Sequence, residues 1–172
     1  LLDMLKEAGA DTGYVETLDG ASGHAVIQID ESGQNNIIIC GGTNRKITRE
    51  YISFVLEHFG KGDLILLQNE ISNIDFAMEE AKKRGLQVAF NPSPADEGVF
   101  LCNLELVDYF ILNEVEGRIL AGTDSEEPAP ILKALREKYK DAAFVLTLGD
   151  QGAWYCDPEE TSFQDIFRVE AV

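Results

Sequence analysis

The sequence predicts an α/β protein: a mostly parallel, doubly wound sheet in three α/β/α layers, carrying a small β appendage. Three observations predict it. Four short apolar runs at 63–68, 86–90, 108–112 and 143–148 alternate with helix-length segments. Strands that are apolar throughout belong to parallel sheets covered on both faces. The segment 23–40 breaks this rhythm with two strand-like runs around a cluster of turn-forming residues, which marks a hairpin outside the main series.

Taken in order, residues 1–8 read as the end of an amphipathic helix, with Gly9 placed to stop it. The hairpin strands are 23–30 and 36–40, joined by Asp30-Glu31-Ser32-Gly33-Gln34-Asn35. Thr48 is placed to cap a helix running to about His58, and Asn73 one running to Arg84, where Gly85 ends it. Helices are expected at about 114–121 and 130–139, with 123–130 an exposed connection, and Ala153-Trp154-Tyr155-Cys156 is a further strand. The domain reading assigns 10–45 to the appendage and its connections. Residues 1–9 and 46–172 go to the large α/β unit.

The chain has 172 residues, 45% of them hydrophobic, with 31 acidic against 14 basic side chains and a formal net charge of −17. Such a field repels nucleic acid and anionic lipid. No apolar run is long enough to span a bilayer, and the N-terminus has no signal-peptide pattern. Cys40, Cys102 and Cys156 are odd in number and widely spaced, which argues against disulfides and zinc and fits a reducing cytoplasm. His24 and His58 belong to no metal cluster, and no Ser/His/Asp set emerges. The chain starts inside an element and is expected to be a fragment.

In a parallel sheet, ligands bind beyond the carboxyl ends of the strands. The residues there are Gln68-Asn69-Glu70, Asn91-Pro92-Ser93-Pro94-Ala95, Asn113-Glu114-Val115-Glu116 and Gly149-Asp150-Gln151-Gly152. Each has a plainer alternative. Asn113-x-x-Glu116 has capping-box spacing, which the spacing alone favours, yet a helix start beside a carboxylate also suits phosphate and Mg²⁺. The two glycines at 149 and 152 serve equally as a tight turn or a phosphate-cradling loop, without a Walker lysine. Glu70 reads first as a solvated loop residue, although a carboxylate also accepts hydrogen bonds from adjacent sugar hydroxyls. Pro92 and Pro94 stiffen a strand exit, and Gly41-Gly42-Thr43-Asn44 reads as a loop after the hairpin.

Together the ordered series Ser22-Gly23-His24-Ala25, Gly33-Gln34-Asn35, Gly42-Thr43-Asn44, Gln68-x-Glu70, Asn91-Pro92-Ser93-Pro94-Ala95, Asn113-Glu114-Val115-Glu116, Thr147-Leu148-Gly149-x-x-Gly152 and Phe167-Arg168-Val169-Glu170-Ala171-Val172 resembles the ribokinase family of carbohydrate kinases over nearly the whole chain. The resemblance implies a large α/β/α domain with the hairpin as part of a β lid, which often also forms a homodimer interface. It implies ATP and Mg²⁺ as cofactors, a monovalent cation (K⁺) in the complete enzyme, and a small sugar as acceptor. The Gln-x-Glu and Asn-Pro-x-Pro-Ala elements favour ribose. Carried over by position, Ala25, Ile27 and Ile39 would be the lid's contacts to sugar, and Glu70 would bind a sugar hydroxyl. Asn113 and Glu116 would serve the phosphate and Mg²⁺ region, and Thr147, Gly149 and Gly152 the nucleotide side. The family's early sugar-binding Asp and Gly-Gly-Lys loop are expected before residue 1. Its Gly-Ala-Gly-Asp motif, with the catalytic Asp, is expected beyond Val172. Another acceptor (fructose, a keto-deoxy sugar acid or a nucleoside) and a non-catalytic sugar- or nucleotide-binding module stay open as alternatives.

Overall fold

A computed structural model describes residues 1–30 and 35–168. Most of the predicted turn at 30–35 and the end of the closing motif lie outside them. After a short helix α1 (Leu2–Glu7), strands β1 (His24–Ile29) and β2 (Asn35–Cys40) form a separate two-stranded antiparallel sheet. The main sheet follows: α2 (Arg49–Leu56), β3 (Leu64–Gln68), α3 (Ile74–Arg84), β4 (Gln87–Asn91), β5 (Tyr109–Asn113), α4 (Glu114–Ala121), α5 (Pro128–Lys138), β6 (Ala143–Thr147), β7 (Ala153–Cys156) and β8 (Thr161–Gln164). The six strands lie in chain order, with β3 to β6 parallel and β7 and β8 added antiparallel at one edge.

The register explains the core. Val88, Phe90, Phe110, Leu112, Phe144, Leu146 and Cys156 alternate onto one face and are all buried. Phe110 and Phe144 sit opposite each other with their rings stacked, centroids 5.4 Å apart. Against this face pack Ile52 and Leu56 of α2, Ala77, Met78 and Ala81 of α3, Leu120 of α4, and Ile131 and Leu135 of α5. Parallel strands joined in sequential order by crossovers of one hand must carry their helices on one face. Among the described residues, α2 to α5 supply that single helical layer; the mostly parallel α/β sheet is as expected, while the second helical layer of the expected α/β/α arrangement is not found among them. On the opposite face of β3, Leu64 and Leu66 are 51% and 61% exposed.

Helix ends follow local chemistry with two departures. Thr48 caps α2 as expected, accepting from the Tyr51 amide at 3.1 Å. Asn73 occupies the N-cap position of α3, but its side chain donates to the Ile47 carbonyl at 2.7 Å instead of capping. Its backbone is left-handed, φ 60°, a conformation that Asn tolerates. The expected loop at 123–130 is shorter, because α5 starts at Pro128: proline suits the first helical turn, whose amides lack intrahelical partners. Gly117 lets α4 lie close on the sheet, since a Cβ there would stand 2.9 Å from a Leu146 methyl. No helix among the described residues is long and apolar enough to cross a membrane.

Phe110 is fully buried at the centre of this core. Phe110→Ala should therefore cost about 3–5 kcal/mol of stability, seen as a lower urea midpoint with an unchanged slope.

Candidate functional site

The last residue of each of the four parallel strands is polar: Gln68, Asn91, Asn113 and Thr147. Gln68 pairs with Asn91, and Asn113 with Thr147, so these residues line one edge of the sheet. Between the two pairs, the β4–β5 ladder stops at Phe90 and Phe110, short of the strand ends. Side chains tie the two exits together beyond it. The Ser93 hydroxyl donates to Glu116 Oε1, the Asn113 amide donates to Glu116 Oε2 at 3.0 Å, and the Glu116 amide returns a bond to Asn113 Oδ1 at 2.9 Å.

Asn113-x-x-Glu116 is thus a complete capping box. Glu116 is only 5% exposed. Its two oxygens offer about four lone-pair directions, and two are taken by Ser93 and Asn113. The remainder suits a hydrated Mg²⁺ held through one protein carboxylate and phosphate oxygens. A cage of protein ligands is not built: the described residues contain no group of three or more His, Cys, Asp or Glu able to hold a metal.

Thr147 donates its hydroxyl to the Leu112 carbonyl at 3.2 Å. After it, Gly149 has φ 57° with open space where a Cβ would be, and the Leu148 amide bonds the Gly152 carbonyl at 2.9 Å. Gly152 is obligatory. Its φ is 97°, and a Cβ would stand 2.2 Å from the Gln164 carbonyl oxygen. Asn113, Thr147 and Gly149 are exposed along this edge.

Glu70 lies in the turn directly after β3 and is half-buried. Its neighbour Asn69, 7% exposed, donates to the Pro94 carbonyl at 2.7 Å and to Asp96 Oδ1 at 3.0 Å, joining the β3 and β4 exits. Among the described residues the Glu70 carboxylate has no hydrogen-bond or ion-pair partner. The hairpin meets the same turn. At its base Gly42 takes φ 51°, the Thr43 amide bonds the Ala21 carbonyl at 2.9 Å, and the Ser72 amide bonds the Asn44 carbonyl at 3.3 Å. Ala25 stands opposite Ile39 and Ile27 opposite Ile37, so Ala25, Ile27 and Ile39 share one face; Ile27 and Ile39 are exposed.

The structure therefore brings Glu70, Asn113, Glu116, Thr147, Gly149 and Gly152 to one edge and anchors the hairpin of Ala25, Ile27 and Ile39 beside the first of them. Three further residues contribute contacts that the sequence does not assign to them. Ser93 lies in an exit whose prolines read as stiffening, and its hydroxyl, one strand from Asn113, is the available signal. Asn69 carried no signal of burial. Arg45, which donates to the Asn69 and Ile71 carbonyls, directly follows the loop read at 41–44 and carries no signal of its own.

The profile of the pfkB family carbohydrate kinases matches residues 1–172. A deoxyribokinase of Salmonella typhi is 31% identical over 98% of this chain and 56% of its own length. The crystal structure of a ribokinase from Thermotoga maritima is 30% identical, with a TM-score of 0.74 over 99% of this chain and 56% of that one. A ribokinase from Cryptococcus neoformans in complex with ADP, at 23% identity and a TM-score of 0.76, shares the fold. The chain spans a little over half the length of these relatives.

Glu116→Gln should lower stability by about 1–3 kcal/mol, because a buried charged acceptor of two hydrogen bonds becomes a neutral amide. Thermal denaturation of the variant checks it, and Ser93→Ala, which removes one of the two bonds, should show only part of the same loss.

Proposed function

The chain belongs to the pfkB family of carbohydrate kinases, and from that premise we propose that this edge serves transfer of the γ-phosphoryl group of ATP onto a hydroxyl of a small sugar. The observation that carries the reading is the convergence of four polar strand exits, with a carboxylate that has no partner among the described residues at one end, beside the base of an exposed hairpin. Glu70 would hold a sugar hydroxyl, with Ala25, Ile27 and Ile39 closing over the ring. Asn113 and Glu116 would serve the phosphates, the latter through the water shell of Mg²⁺, and Thr147, Gly149 and Gly152 would line the nucleotide. Bound Mg²⁺ supplies charge neutralisation at the phosphates, and K⁺ is proposed for the complete enzyme.

What the chain's own residues contribute is positioning. Phosphoryl transfer asks little covalent chemistry of a protein and much orientation and charge stabilisation. Glu70 orients the acceptor by accepting from its hydroxyls, and Gly149 and Gly152 let the backbone approach the nucleotide. Glu116, pinned by Ser93 and Asn113, keeps a fixed negative point between the β4 and β5 exits. The residue that takes the proton from the sugar is proposed to lie in the part of the relatives' length that this chain does not span.

D-ribose is the acceptor we propose, with assembly as a homodimer through the hairpin sheet and residence in the cytoplasm. The similarity to a deoxyribokinase favours 2-deoxy-D-ribose as the second reading. Comparing kcat/KM for the two pentoses in the full-length protein decides between them.

Glu70→Gln should raise the KM for D-ribose about tenfold or more and leave that for ATP nearly unchanged, since each bond from a hydroxyl to a carboxylate is worth about 1.5–3 kcal/mol. Glu116→Gln should lower kcat and shift the Mg²⁺ dependence with less effect on sugar KM. An unaltered sugar KM in the Glu70 variant removes that residue from the sugar site. Residues 1–172 alone should give no ATP-dependent phosphorylation of D-ribose, and reproducible turnover by a pure preparation would place the base within them.

A further inference from the structure

Among the described residues Glu70 has no partner for its own carboxylate, yet the main chain around it is held on both sides. The Arg45 guanidinium donates to the Asn69 carbonyl at 3.4 Å and to the Ile71 carbonyl at 3.3 Å, the two residues that flank Glu70. The tie is reciprocal. The Ser72 hydroxyl donates to the Arg45 carbonyl at 2.6 Å, and the Ser72 amide to that of Asn44 at 3.3 Å. Four hydrogen bonds thus join the short helical turn Gly42–Lys46, which carries the hairpin, to the turn that carries Glu70.

The sequence leaves room for this side chain. A Cβ on Gly41 would stand 2.7 Å from Arg45 Cγ and 3.0 Å from its Nε, so glycine at 41 keeps the path of the arginine clear. Arginine also fits the task chemically. Its planar fork presents several donors at fixed spacing and reaches two carbonyls at once, whereas an ammonium group acts as a single point.

We propose that Arg45 is a positioning residue for the acceptor site, holding the turn around Glu70 and joining it to the base of the hairpin, so that the sugar-binding carboxylate and the cover over it keep one relative placement. The proposal rests on the reading of Glu70 as a sugar ligand. Arg45 touches no substrate in this scheme. It acts by removing freedom from the Glu70 backbone before the sugar arrives, which strengthens binding without new contacts.

Steady-state kinetics with D-ribose and ATP on full-length Arg45→Ala, Arg45→Lys, Glu70→Gln and the Arg45→Ala/Glu70→Gln double variant test it. Arg45→Ala should raise the KM for D-ribose about fivefold, with kcat and the KM for ATP changed less than about twofold. Arg45→Lys should recover part of the affinity. In the Glu70→Gln background the further effect of Arg45→Ala should fall below about twofold, because two residues acting through one contact are not additive. If Glu70→Gln weakens D-ribose and Arg45→Ala does not, the positioning role is overturned while the sugar-site reading stands. An equal effect of Arg45→Ala with and without Glu70 overturns it as well, since Arg45 would then act elsewhere. An unchanged sugar KM in Glu70→Gln would overturn the sugar-site reading itself, and this proposal with it.

Discussion

Four strands that run the same way must leave the sheet at the same edge, and the candidate site depends on that constraint. The ladders from β3 to β6 place Gln68 beside Asn91 and Asn113 beside Thr147. The buried phenylalanines 90, 110 and 144 fix the alignment below them, because a slip of one residue would turn every core side chain outward. The core thus sets where the polar strand ends stand. The one discontinuity is the early end of the β4–β5 ladder, where side chains from Ser93, Asn113 and Glu116 replace backbone pairing.

Glu116 shows how one carboxylate meets two demands. At the first turn of α4 a negative charge is welcome to the helix dipole, and the capping box holds it there. The same charge opposes a phosphate arriving at that helix start. In the proposed kinase a cation between them resolves the conflict, and the strongly acidic chain makes such a mediator more necessary. In the same proposal, backbone amides and glycines around 149–152 would contribute without adding charge. On that proposal this is how a protein of net charge −17 would approach a nucleotide.

Much of this was legible in the sequence, since apolar periodicity and glycine placement report backbone directly. The parallel strands, the antiparallel hairpin and the capping spacing at 113–116 all follow from it. What was not legible depends on which loops meet. Asn73 looked like a cap because asparagine before a helix usually is one. Its amide instead reaches Ile47, 26 residues away in the chain. Pro128 looked like loop because proline near Glu and Ser signals a connection, while its position at a helix start was equally available. The bonds from Asn69 to Asp96 and from Arg45 to both sides of Glu70 join separate strand exits, and no local pattern encodes them.

The uncovered face of β3 has a colloidal consequence. Leu64 and Leu66 stand on a sheet surface opposite the helices, and the hairpin adds exposed Val26, Ile27, Ile37 and Ile38. Apolar surface of this kind attracts its like. The net charge of −17 works against it by keeping molecules apart. Mutual repulsion is screened within about 10 Å at 0.1 M salt, while hydrophobic attraction is not weakened by such salt. These 172 residues should therefore stay dispersed in dilute buffer and self-associate as ionic strength rises, the reverse of a protein held together by ion pairs.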